Sequence, residues 1–80
     1  MLTKEQYAIL SSYTKHLNSA KCDYIRGVYS RDIETVRPIY ESLGNKLTSP
    51  NCSYCVLQMF KVLAREYDKY TERYYNGKKS

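Results

Sequence analysis

Eighty residues leave room for one domain and one core, and 42% hydrophobic against 26% charged residues excludes a disordered chain. The net charge of +5 sits at the two ends: residues 1–27 carry +2, 28–60 are neutral and 61–80 carry +3, a balance that suits acidic partners. No apolar run approaches the roughly 20 residues needed to cross a bilayer, and no apolar h-region follows Met-Leu-Thr-Lys-Glu-Gln. The sequence therefore predicts a cytosolic or virion setting rather than secretion, with no membrane partner and no secretory signal peptide.

The apolar spacing predicts an all-α fold, a small three-helix domain over 1–77 with a long C-terminal helix and a basic tail at 78–80. The first helix is expected over about 3–26. Thr3 with Gln6 three residues on forms a capping-box pattern, and Tyr7, Leu10, Leu17, Ala20 and Tyr24 make the stripe, with Tyr13 and Ile25 alongside. Gly27 supplies the left-handed stop. The second helix is expected over about 30–44, capped by Ser30, with Asp32 and Glu34 at the positive end of its dipole. Ile33, Val36, Tyr40 and Leu43 form its stripe, and Pro38 predicts a kink, or a break at Arg37. Gly44–Asn45 ends it. Leu47 is expected to fold back onto the core. The third helix is expected over about 49–75, with Ser49 as cap, Pro50 at its first position and Asn76–Gly77 as its stop. Its stripe is Cys52, Cys55/Val56, Met59, Leu63, Tyr67, Tyr70 and Tyr74. At 1.5 Å per residue it is roughly 37 Å long, much longer than the second helix.

Ten tyrosines against one phenylalanine and no tryptophan are the compositional outlier. So many amphipathic rings cannot all be buried in so small a core, and half-exposed tyrosine suits a binding surface. The bland explanation is an AT-rich codon usage. Tyr54, Tyr67, Tyr70, Tyr74 and Tyr75 are the expected protein-interface anchors. A second surface lies on the outer line of the third helix. Asn51, Tyr54, Gln58, Lys61 and Arg65 recur at i, i+3, i+7, i+10 and i+14, and such side chains can grip phosphates or read base edges. After a short helix and a turn, this resembles a helix-turn-helix, although the linker from Gly44 to Pro50 is longer than that motif's turn. The competing reading is a plain solvated face. Lys61, Arg65, Lys69, Arg73, Lys78 and Lys79 also alternate with tyrosines, but Glu66, Asp68 and Glu72 among them fit the charge lacing of an exposed helix.

Cys52-Ser53-Tyr54-Cys55 places two thiols at a helix start, where N–H groups and the dipole favour a thiolate. Thioredoxin-like motifs of this kind follow a strand, and this chain offers none. Cys52 and Cys55 are therefore read first as core-facing, and only secondarily as a thiol or metal site. A zinc set of His16, Cys22, Cys52 and Cys55 is an accepted ligand combination, but His16 and Cys22 are six positions apart, a separation that turns them away from one another on a helix. Three cysteines make a poor disulfide framework. With one histidine, no phosphate-cradling glycine loop and no nucleophile–base arrangement, no enzyme and no cofactor are expected. His16 is read as a surface residue.

Leu43-Gly44-Asn45-Lys46, followed by Asn51-Cys52-Ser53-Tyr54-Cys55-Val56 at the head of a Tyr-rich amphipathic helix, resembles small proteins of tailed phages and prophages of Bacteroides-type bacteria, crAss-like phages included. The resemblance covers about residues 40–70. It implies a phage-encoded accessory or virion-associated protein with the cysteine pair in a structural place, and it implies no activity. The combined expectation is a non-enzymatic interaction protein that binds other protein chains, self-association and virion components included. A nucleic-acid-binding module is the alternative, and a structural zinc or thiol site is the third reading.

Overall fold

The structure, a computed structural model, describes residues 2–25, 27–49 and 51–79, with side chains described as far as Arg73. Four helices follow one another: α1 (Lys4–Ser11), α2 (Thr14–Lys21), α3 (Ser30–Ser42) and α4 (Ser53–Lys79). The fold is all-helical among the described residues, as the spacing predicted, but it has four helices rather than three.

The single first helix expected over 3–26 is two. Its start is as read: Thr3 Oγ1 accepts the Gln6 N–H at 3.1 Å, and the Thr3 N–H donates to Gln6 Oε1 at 3.0 Å. The ladder then tightens, with the Ser12 N–H bonding Ile9 and the Tyr13 N–H bonding Leu10 in i→i−3 fashion. Ser11, Ser12, Tyr13 and Thr14 are all weaker helix formers than alanine or leucine. The Ser11 hydroxyl also donates back to the Tyr7 carbonyl at 2.9 Å, an interaction that bends helices. Nor is Gly27 the stop. Asp23 takes the left-handed conformation at φ +58°. Its N–H bonds the Ala20 carbonyl at 2.9 Å and the Tyr24 N–H bonds that of Ser19 at 3.0 Å, which closes α2 in a Schellman motif. Gly27, at φ +71°, serves the following link.

Ser30 is the first helical residue of α3 rather than its cap. Asp32 does the capping by reaching back to the Tyr29 N–H at 3.0 Å. Pro38 neither ends nor interrupts the helix, which continues to Ser42. The ring lies on the exposed side, where water can satisfy the carbonyl it leaves unbonded. Gly44 follows at φ +88°, where the helix was expected to end. Leu47 is folded onto the core at 3% exposure, also as expected.

Two expectations for the long helix are corrected. It starts at Ser53, not near Ser49, because Cys52 takes the capping position. The Cys52 carbonyl accepts the first intrahelical bond from Val56 (3.0 Å) while its sulfur accepts the Cys55 N–H. The expected Pro50 start lies outside the described residues. At the other end, α4 runs through Asn76–Gly77 to Lys79, so 78–80 is not a separate tail as far as Lys79. Glycine permits a helix stop without compelling one.

All four helices share one core. Leu10, Leu17, Val36, Met59, Phe60 and Leu63 are its largest fully enclosed side chains. α2 packs most extensively on α4, and α1 and α3 flank it. The molecule is elongated, 44 × 23 × 17 Å, with the roughly 40 Å of α4 accounting for the long dimension. No helix is long and apolar enough to cross a membrane, among the described residues.

Candidate functional site

The five expected interface tyrosines fall into three situations. Tyr54 stands on the first turn of α4, 68% exposed. Tyr67 and Tyr70 are half-buried, and both stack on Tyr7 of α1, with ring centroids 4.6 and 4.4 Å away. Offset stacking of this kind adds about 0.5–1.5 kcal/mol per pair beyond area burial. Hydroxyls complete the cluster. Thr71 donates to the Tyr67 carbonyl (3.0 Å), which leaves the Tyr7 hydroxyl to donate to Thr71 at 2.7 Å. Ser11 donates to the Tyr7 carbonyl, and so the Tyr67 hydroxyl is the donor towards Ser11 at 3.4 Å. Tyr74 and Tyr75 lie on the helical backbone of α4, but their side chains fall outside the described residues. Tyr67 and Tyr70 thus show solvent only part of each ring.

The outer line of α4 is less available for nucleic acid than its spacing suggests. Asn51 is exposed but precedes the helix. Tyr54 and Arg65 are exposed, whereas Gln58 and Lys61 are half-buried. Gln58 lines a shallow cleft of about 140 Å³ with Tyr40, Leu47, Thr48 and Cys55. Lys61 is ion-paired with Asp23, the residue that closes α2. Lys21 of α2 pairs with Asp68 at 2.6 Å, so two outward charges of α4 serve to hold α2. Exposed or half-exposed pairs such as these contribute about 0–1 kcal/mol each.

The four residues of the zinc reading are not brought together. Among the described residues no group of three or more His, Cys, Asp or Glu is placed to hold a metal ion. His16, expected at the surface, is half-buried. Its ring lies 5.8 Å from Phe60 and 5.7 Å from Tyr13, with Nε2 3.3 Å from the Gly27 carbonyl. Its buried Nδ1 has no hydrogen-bond partner. Periodicity along one helix could not reveal that packing, because Gly27 and Phe60 arrive from elsewhere in the chain.

The cysteine pair is neither fully core-facing nor solvent-facing. Cys22 is exposed, and Cys52 and Cys55 are half-buried free thiols, Cys55 resting against the core. Cys52 Sγ accepts the Cys55 N–H at 3.3 Å, and Cys55 Sγ lies 3.6 Å from Thr48 Oγ1. The Cys55 thiol, then the Cys55 N–H and more weakly the Tyr54 N–H, hold the Cys52 thiol below its ordinary range, while partial burial opposes them. Asn51 and Ser53 beside it line a cleft of about 240 Å³ with Ile25, Val28, Ile33 and Val56. The chain matches no protein-family model, no curated protein and no solved structure.

Proposed function

We propose that the chain is a non-enzymatic helical interaction protein that binds other protein chains, a second copy of itself among them. The observation that carries this reading is that α4 outruns the helices packed on it. Tyr7 meets it at Tyr67, Tyr70 and Thr71, and Leu2 lies in a cleft with Tyr70 and Arg73. Beyond Arg73 the helix continues through Tyr74 and Tyr75 to Lys79. Tyrosine combines large contact area with a hydroxyl that tolerates water, which suits a surface that is alternately bare and covered. A phage-encoded accessory or virion-associated role, in the host cytoplasm or the particle, rests on the resemblance of residues 43–46 and 51–56.

Sedimentation velocity over a wide concentration range tests the reading. The expected result is a sedimentation coefficient that rises with concentration in the wild type. It should stay flat in a Tyr74→Ala, Tyr75→Ala double variant of unchanged helicity. A wild type that remains monomeric throughout would overturn self-association. The nucleic-acid alternative draws less support, since Lys61 is engaged by Asp23. Duplex DNA binding that survives physiological salt, and is lost on Lys61→Glu with Arg65→Glu, would nevertheless put that alternative in its place.

A further inference from the structure

We propose that Cys52 and Cys55 form a redox-responsive dithiol, in which Cys52 is the attacking thiolate towards small-molecule disulfides and Cys55 is the resolving thiol. The inference is independent of the interaction reading above.

It rests on how the two sulfurs are placed. Helix caps are usually oxygen-bearing side chains, serine, threonine, aspartate or asparagine, because an orphan N–H of the first turn needs an acceptor. Here the acceptor is sulfur: Cys52 Sγ receives the Cys55 N–H at 3.3 Å. A thiolate is a far better acceptor than a thiol, so the cap itself favours the charged, nucleophilic form. The neighbouring Cys55 thiol favours the charged form of the same sulfur. Thr48 lies behind it at 3.6 Å. The Thr48 hydroxyl and the Cys55 sulfur are thus within hydrogen-bonding reach of one another. The two half-buried thiols are therefore not inert core fillers. They are linked across a single helical turn by the bond from the Cys55 N–H to the Cys52 sulfur.

The spacing also permits the bond. Residues three apart at a helix start have Cα atoms about 5 Å apart, inside the span of about 4.4–6.8 Å that disulfides use. No backbone rearrangement between elements is needed, because both cysteines belong to one turn. The thioredoxin-like strand missing from this chain is thus not required for the local chemistry. The first turn of α4 is held instead by Val56, Met59 and Phe60 in the core.

The reaction balances as follows. Cys52 thiolate attacks one sulfur of an external disulfide, forms a mixed disulfide and expels the first thiolate. Cys55 then gives its proton to water and attacks the Cys52 sulfur. The Cys52–Cys55 bond forms and the second external thiolate leaves. The protein dithiol loses two electrons, and the external disulfide gains them as two thiols. The process is stoichiometric, a change of state of the protein rather than turnover.

The test uses the full chain with oxidised glutathione, acid quenching, alkylation and peptide mass spectrometry, with exposed Cys22 as the internal standard. The expected product has lost two hydrogens, carries a Cys52–Cys55 bond and leaves Cys22 open to alkylation. Cys55→Ser should halt at a glutathione adduct on Cys52. In the unmodified protein, iodoacetamide should alkylate Cys52 about threefold or more faster than Cys22 at neutral pH, with a lower pH midpoint. Equal reactivity of Cys52 and Cys22, or oxidation that yields no Cys52–Cys55 bond, would overturn the proposal. The alkylation comparison needs no substitution, so a variant that fails to fold does not blunt it.

Discussion

The two halves of α4 are held to the rest of the molecule by different physics. From Val56 to Ala64 the helix buries Val56, Met59, Phe60, Leu63 and Ala64 against Leu17, Ala20, Ile33 and Val36. From Tyr67 onward it is held by ring faces, hydroxyls and an ion pair: Tyr7 between Tyr67 and Tyr70, Tyr7 on Thr71, and Lys21 on Asp68. Burial of aliphatic and phenylalanine side chains is non-directional and scales with area. Stacking and hydroxyl bonds are directional and compete with water, so each yields less. The first half therefore supplies the stability of the domain. The second half is a contact that can open locally without unfolding the whole. That division suits a helix whose far end meets a partner.

The sharpest way to break the comparison is at Phe60, fully buried beside His16. Phe60→Ala should cost about 3–5 kcal/mol, a large share of the stability of so small a domain. Urea denaturation followed by circular dichroism should show a chain that is largely unfolded or nearly so. Next comes Tyr7. Tyr7→Ala removes two stacks and one hydroxyl bond, for about 2–3 kcal/mol in all. Amide exchange should quicken from Tyr67 towards Lys79 and stay slow from Val56 to Leu63. Tyr7→Phe keeps the stacks and should cost only about 0.5–1.5 kcal/mol. If Tyr7→Ala accelerated exchange equally in both halves, α4 would be one cooperative unit and the comparison would fail. The smallest effect belongs to Lys21→Ala, whose pair with Asp68 is about half-exposed on both sides. It should lower the unfolding free energy read from urea denaturation by less than about 1 kcal/mol, and by less still in high salt.

Much of the fold was legible because it is local. Thr3 and Gln6 form their box because both groups lie within one turn. Gly44 takes its positive φ because an α-helix with no further apolar stripe needs a left-handed exit there. Other features were not legible. The break after Ser11 leaves the angular positions of Leu10 and Leu17 compatible with one continuous stripe, so periodicity passes over it. Asp23 could not be told from any exposed acid until Lys61 stood opposite it. Phe60 and Ala64 lie beside the stripe of Val56, Met59 and Leu63, yet both are buried because α4 is covered by three helices rather than one. The cysteine pair shows both sides. Its spacing pointed to an N-terminal thiol turn, but Ser49–Pro50 competed as the start, and only the folded turn made Cys52 the cap.

By itself the sequence determined the helical class, the end of α3 at Gly44, the inward fold of Leu47 and the length contrast that makes α4 the axis. Each follows from hydrophobic period, capping chemistry or backbone freedom, which act within a few residues. Only the tertiary structure decided which tyrosines stack on Tyr7, which lysines of α4 are engaged, and where His16 lies. Those outcomes depend on which surfaces meet, and residues as far apart as Tyr7 and Thr71 come within 2.7 Å only when four helices close on one core.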